Sequence, residues 1–89
     1  MAWSIKIRPN AERQLDRLDP QIARRVIRFL FDRLAQLEDP RSIGDALKGS
    51  GLGDLWKYRV GDYRIIASIE DQVVRILVVR IGNRREVSR

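Results

Sequence analysis

Apolar and polar residues alternate in the opening segment WSIKIR, with Trp3, Ile5 and Ile7 on one side and Ser4, Lys6 and Arg8 on the other. This period of two predicts a half-buried strand. The period then lengthens. Ala11, Leu15 and Leu18 are spaced four and three apart and line one face of a helix that Pro9 is suited to open. Asp19-Pro20 interrupts that face and supplies an N-cap and first turn for a second helix. Along the second helix Ile22, Val26, Leu30, Leu34 and Leu37 form an apolar stripe, while Arg24, Arg25, Arg28 and Asp32 fall on other faces. Asp39-Pro40 places the end of the helix near Leu37.

Residues 41–54 hold four of the six glycines and one short apolar pair, Ala46-Leu47, which predicts a loop. Three β-rich runs follow, LWKYRV, YRIIASI and VVRILVVRI, separated by Gly61-Asp62 and by Glu70-Asp71-Gln72. These separations are those of hairpins. A strand, two helices and a three-strand meander make an α+β fold, an antiparallel sheet with a helical hairpin on one face. No linker or internal repeat divides the 89 residues, so the expectation is one domain, 1–89.

Composition narrows the chemistry. Cysteine and histidine are both absent, which excludes thiol nucleophiles, disulfides, Cys/His zinc sites and a histidine base. Neither a metal nor a cofactor is expected, and catalysis must draw on Lys, Arg, Tyr, Ser and carboxylates. No apolar run is long enough to span a bilayer, and the opening MAWSIKIRPN lacks the order of a signal peptide, so a cytoplasmic protein without a membrane partner is expected. The net charge of +6 favours a polyanionic partner. Its distribution is uneven: six arginines and six acids balance over residues 9–39, whereas residues 80–89 carry four arginines and one acid, half of the excess. That terminal block is either a solvated tail or part of a phosphate site.

The middle hairpin sharpens the question. With Gly61-Asp62 as its turn, Val60 faces Tyr63, Arg59 faces Arg64, Tyr58 faces Ile65 and Lys57 faces Ile66. Lys57, Arg59 and Arg64 then share one sheet face, and Trp56, Tyr58, Tyr63 and Ile65 share the other, which packs on the helices. Directly opposed like charges cost roughly 0.2–1 kcal/mol. Either an anion bound between the cations relieves that cost, or Arg59 and Arg64 splay into water or pair with Asp54, Asp62 or Glu70.

The segments RPNAERQLDRLD, ALKGSGLGDLWKYRVGDYRII and VVRIGNRREV, in that order and spacing, resemble the RelE/ParE superfamily of type II toxin-antitoxin toxins, most closely its RelE branch. The resemblance covers nearly the whole chain. It implies the same fold, with RNA bound on the sheet face away from the helices. It also implies a toxin that cuts mRNA on the ribosome without metal, an endoribonuclease or mRNA interferase that inhibits translation. The ribose 2′-hydroxyl attacks the adjacent phosphate and leaves a 2′,3′-cyclic phosphate. By the same resemblance Arg64 and Arg84 handle the phosphate, Lys57 assists proton removal, and Lys48 is the basic residue of the loop before the hairpin. Arg59, from the cationic cluster of the hairpin, and Arg85, from the terminal arginine block, are further candidate RNA-binding positions. The implied partners are a cognate acidic antitoxin, the ribosome and its mRNA, and operator DNA only through the antitoxin.

Two positions depart from the pattern. Ser88 stands where members often carry a catalytic tyrosine, and Leu55 where some carry a second lysine. Proton transfer then falls to Lys57 or to a carboxylate such as Glu86. Two other readings share the fold: a ParE-like toxin that binds DNA gyrase, and a catalytically degenerate RNA-binding homologue retained in a repressor complex with the antitoxin.

Overall fold

A computed structural model describes residues 2–47 and 55–83. The sequence pattern becomes β1 (Ser4–Ile7), α1 (Pro9–Asp16), α2 (Pro20–Arg28), β2 (Asp45–Ala46), β3 (Leu55–Val60), β4 (Tyr63–Glu70) and β5 (Arg75–Asn83). The five strands form one sheet in the order β1-β5-β4-β3-β2. Pro9 and Pro20 open the two helices as expected, and the Asp19 carboxylate accepts a hydrogen bond from the Gln21 amide at 3.1 Å.

The helices lie against one face of the sheet. Ala11 and Leu15 of α1, Val26 of α2 and Leu30 and Leu34 beyond it are buried against Tyr58, Ile65, Ile76 and Val78. Trp56 packs partly on this core, whereas Tyr63, expected beside it, is half-buried outside it.

Four expectations need correction. The second helix does not run regularly to Leu37: α2 ends at Arg28 and continues as a π turn, Phe29–Arg33, then a 3-10 turn, Leu34–Gln36. The cause lies in the stripe. Apolar residues at a strict spacing of four drift by about 40° per step around an α-helix of about 3.6 residues per turn. One wider π turn reverses the drift and keeps Val26, Leu30 and Leu34 all fully buried.

The segment read as a loop from residue 41 contains a 3-10 turn, Pro40–Ile43, and the short strand β2, which pairs with β3 at Trp56 and Lys57. Two residues of strand are too short for an alternation signal. The sheet is also not wholly antiparallel. β1 joins it parallel to β5, with Ile5 beside Ile76 and Ile7 beside Val78. The helical hairpin carries the chain from β1 at one edge of the sheet to β2 at the other, so the long connection that a parallel pair needs runs through both helices and β2–β4. Finally, β5 is not a regular strand, because its pairing with β4 slips at Ile66/Ala67, which adds Val79 to one side. That extra residue changes the parity of β5, so that Ile76, Val78 and Ile81 all reach the core although their numbering alternates. β1 pairs with β5 only as far as Val78, and beyond it the Ile81 amide donates to Gln14 Oε1 of α1 at 2.8 Å.

Candidate RNA-facing site

The β3–β4 register is the one expected from the Gly61-Asp62 turn. Val60 pairs with Tyr63, Arg59 with Arg64, Tyr58 with Ile65 and Lys57 with Ile66. Gly61 has φ +59°, the conformation that the first central residue of a type II′ hairpin turn requires. Lys57, Arg59 and Arg64 therefore share the sheet face away from the helices.

β5 extends this face into two cross-strand rows, Lys57–Ile66–Arg80 and Arg59–Arg64–Gly82. Opposed residues in such rows have Cβ atoms about 4.5–5.5 Å apart. Ile66 is buried between Lys57 and Arg80, and Gly82 places no side chain beside Arg64. Arg80 was missed by sequence reasoning, because only the bulge at Val79 puts it on this face.

Asp45 of β2 stands opposite Lys57 at the end of the first row, and no other carboxylate lies in the two rows among the described residues. Glu70 is engaged elsewhere: Arg75 Nε donates to its Oε1 at 2.8 Å, and this hydrogen bond holds the Glu70 carboxyl below its ordinary range. Among the described residues no carboxylate forms an ion pair with Lys57, Arg59, Arg64 or Arg80. Arg64 Nε is withdrawn from solvent and has no hydrogen-bond partner among the described residues. A buried guanidinium N–H without an acceptor is costly, and an anionic oxygen would satisfy it with a charge-assisted bond. The face can thus bind a phosphate and stabilise negative charge that develops on it.

The helix side holds the face in register. Tyr58, next to Lys57, is buried and donates from its hydroxyl to the Pro40 carbonyl at 2.8 Å. Its ring lies 6.1 Å from that of Phe29. Burial pushes the Tyr58 hydroxyl up to about 12. Arg41 links Asp39 to Asp71 and so ties the 3-10 turn before β2 to the turn between β4 and β5.

Of the residues expected to form the site, Lys57, Arg59 and Arg64 come together. Lys48, Arg84 and Arg85, together with Glu86 and Ser88, lie outside the described residues. Leu55 begins β3 and is half-buried.

The comparisons with known proteins agree with this architecture. The sequence model of the family described as "ParE toxin of type II toxin-antitoxin system, parDE" matches residues 5–88. Toxin RelE of Mycobacterium tuberculosis is 33% identical over 82 residues, 92% of this chain and 81% of that protein. Toxin RelG of the same organism is 27% identical over 89 residues, covering 100% of this chain and 99% of the relative. Among solved structures, a chain of the RelBE2 toxin-antitoxin complex from Mycobacterium tuberculosis superposes with a TM-score of 0.84 at 26% identity, over 94% of this chain and 93% of that one. The fold, the cationic sheet face and a family match over nearly the full length converge: the chain belongs to the ParE toxin family of type II toxin-antitoxin systems, within the RelE/ParE superfamily.

Proposed function

We propose that this toxin is a ribosome-dependent mRNA endoribonuclease that blocks translation and is neutralised by an acidic antitoxin. The observation that carries the reading is Arg64, whose Nε is buried without an acceptor among the described residues in the middle of a cationic face. The reaction needs a group to take the 2′ proton, positive charge around the phosphorane, and a proton for the departing 5′ oxygen. Arg64 serves the second need with its guanidinium charge on that face. Lys57, one row away, is the described group for proton handling, and Arg59 and Arg80 hold the RNA strand on either side. No step is assigned to a metal. Arg84 as a second phosphate ligand and Lys48 as an RNA contact rest on the sequence resemblance, and Arg85 as an RNA contact rests on the terminal arginine block. The antitoxin partner is supported by the likeness to a chain from a toxin-antitoxin complex.

Primer extension on mRNA recovered from translating ribosomes tests the reading. Expression of the chain should produce discrete cuts, and Arg64→Ala should reduce their rate by ~10²–10³, the scale of losing one preorganised donor.

A second reading is favoured by the family description, which names ParE, and by Leu55 in place of a second lysine. In that reading the toxin acts on DNA gyrase. Whole mRNA in arrested cells together with DNA-damage signalling would establish it and remove the first.

A further inference from the structure

The sheet face that carries the cationic rows does not end with them. Two residues from Lys57 and Ile66, Leu55 of β3 pairs with Ser68 of β4, and Ser68 pairs with Leu77 of β5, whose neighbour on β1 is Lys6. Side chains two apart on a strand share a face, so this third row stands beside Lys57–Ile66–Arg80, about 7 Å from it. On β5 the bulge at Val79 brings Leu77 and Arg80 to the same side. The row after it, Ser4–Arg75–Glu70, is closed by the 2.8 Å ion pair between Arg75 and Glu70. Along the strands the face thus changes from cationic to apolar and then to internally neutralised.

Leu55 and Leu77 belong to this surface rather than to the core. Both are half-buried, and among the described residues neither is in the cluster beneath the helices or packed against it. They cannot neutralise a phosphate, so the third row does not continue the phosphate track, and Leu55 stands where the family resemblance puts a lysine in some members. What the row does fit is a nucleobase, which has an apolar face and a polar rim. Two leucines can cover the face, and the Ser68 hydroxyl between them can donate to or accept from the rim. An RNA strand whose phosphates lie on the cationic rows has its bases within reach of the row beside them, and exposed Lys6 waits at the far end for a further phosphate.

We propose that Leu55, Ser68 and Leu77 form a nucleobase subsite, in which the two leucines cover the face of one base and the Ser68 hydroxyl meets its edge while the neighbouring phosphates lie on Lys57, Arg64 and Arg80. The proposal rests on the reading of this sheet face as an RNA surface and adds to it a part that contacts the base. Phosphate contacts position a strand and base contacts specify it. The cationic rows therefore set most of the affinity, and the apolar row sets which nucleotide is held. Leu55 gains a role in this arrangement, because a lysine there would lengthen the phosphate track and remove half of the platform.

Equilibrium titrations of the full chain test this with two short 2′-O-methyl strands of equal length, which lack the attacking hydroxyl and stay intact: an oligoadenylate and an abasic ribose-phosphate strand. The wild type should bind the oligoadenylate about tenfold or more tightly than the abasic strand, with equal salt slopes because the phosphates are the same. Leu77→Ser should remove most of that difference and leave the abasic affinity unchanged, and Ser68→Ala should weaken the oligoadenylate alone by about threefold. Leu55→Lys should steepen the salt slope by about 0.7 for both strands while lowering the preference for bases. Thermal melts control for folding; should Leu77→Ser fail to fold, the wild-type comparison and Leu55→Lys decide. Equal binding of the two strands by the wild type leaves the RNA surface standing and overturns the base subsite. Binding of neither strand removes the RNA surface and the subsite with it. Arg64→Ala separates the subsite from the proposed activity: the variant should lose cleavage and bind both strands more weakly, yet keep the ratio between them.

Discussion

Arg59 and Arg64 stand directly opposite each other across the β3–β4 ladder, and neither has a carboxylate partner among the described residues. A fold selected for stability alone would place an acid at one of the two positions. Arg59→Glu should therefore stabilise the protein by up to ~1 kcal/mol, several degrees in Tm for a domain of this size. The same change should weaken RNA binding. A melt together with an RNA titration checks both halves. A variant that is less stable than wild type would mean that the arginines do not oppose each other in solution.

Tyr58 couples the strand carrying Lys57 to the turn before β2. Tyr58→Phe removes the donor to the buried Pro40 carbonyl and should cost about 1 kcal/mol at neutral pH. The pH dependence follows from the raised hydroxyl. Its value is about 10 in the unfolded chain and about 12 in the folded one. Folding thus favours the protonated form: the contribution is complete below pH ~10 and is lost as pH rises towards ~12. Alkaline unfolding curves of wild type and Tyr58→Phe, followed by circular dichroism, should draw together across that window. A constant gap between them, or a wild-type phenolate signal from Tyr58 complete near pH 10, contradicts the burial argument.

Val74 is the one non-glycine residue with positive φ among the described residues, at φ 51° and ψ 53°. A β-branched side chain in this left-handed region is strained by roughly 1–3 kcal/mol. Its side chain is 43% exposed, so little packing offsets the strain. The hydrogen bond from the Ser4 amide goes to the Val74 carbonyl and survives substitution. Val74→Gly should raise stability by about 1 kcal/mol after the entropy cost of glycine is subtracted, measured by urea denaturation. A loss of stability would show that the turn between β4 and β5 relies on the valine side chain.

How much was legible in the sequence depended on whether a feature was local. The β3–β4 register could be read because two turn residues fix it, and with it the shared face of Lys57, Arg59 and Arg64. Arg80 could not be read, since its side of the sheet depends on one bulged residue that leaves no mark in the alternation of VVRILVVRI. β2 has two residues and no period, and the parallel pairing of β1 is a choice of partner rather than of pattern. The π turn was implied by the strict spacing of four from Ile22 to Leu34, a signal that the helical reading passed over. Charge misled in another way. Six arginines and six acids cancel over residues 9–39 when summed, yet Arg24, Arg25, Arg28 and Arg33 are exposed and form no ion pair among the described residues. Only the fold shows that the balance on paper is not a balance in space.

The two cross-strand rows make a quantitative prediction about salt. If a single-stranded RNA lies across Lys57–Ile66–Arg80 and Arg59–Arg64–Gly82, the four cations release counterions on binding, and the plot of log affinity against log salt should fall with a slope of roughly −0.7 for each phosphate neutralised. Arg80→Ala should then reduce the magnitude of the slope by ~0.7, as should Lys57→Ala, although only Arg80 escaped sequence reasoning. Both side chains flank Ile66, so their removal exposes it and should lower stability by less than ~1 kcal/mol, too little to unfold the domain. Arg41→Ala is the matching control. Arg41 is occupied by Asp39 and Asp71 away from these rows, so its loss should leave the slope unchanged. Titrations of the three variants against wild type at several salt concentrations decide the matter: an unchanged slope for Arg80→Ala would remove β5 from the RNA path and confine the site to the β3–β4 hairpin.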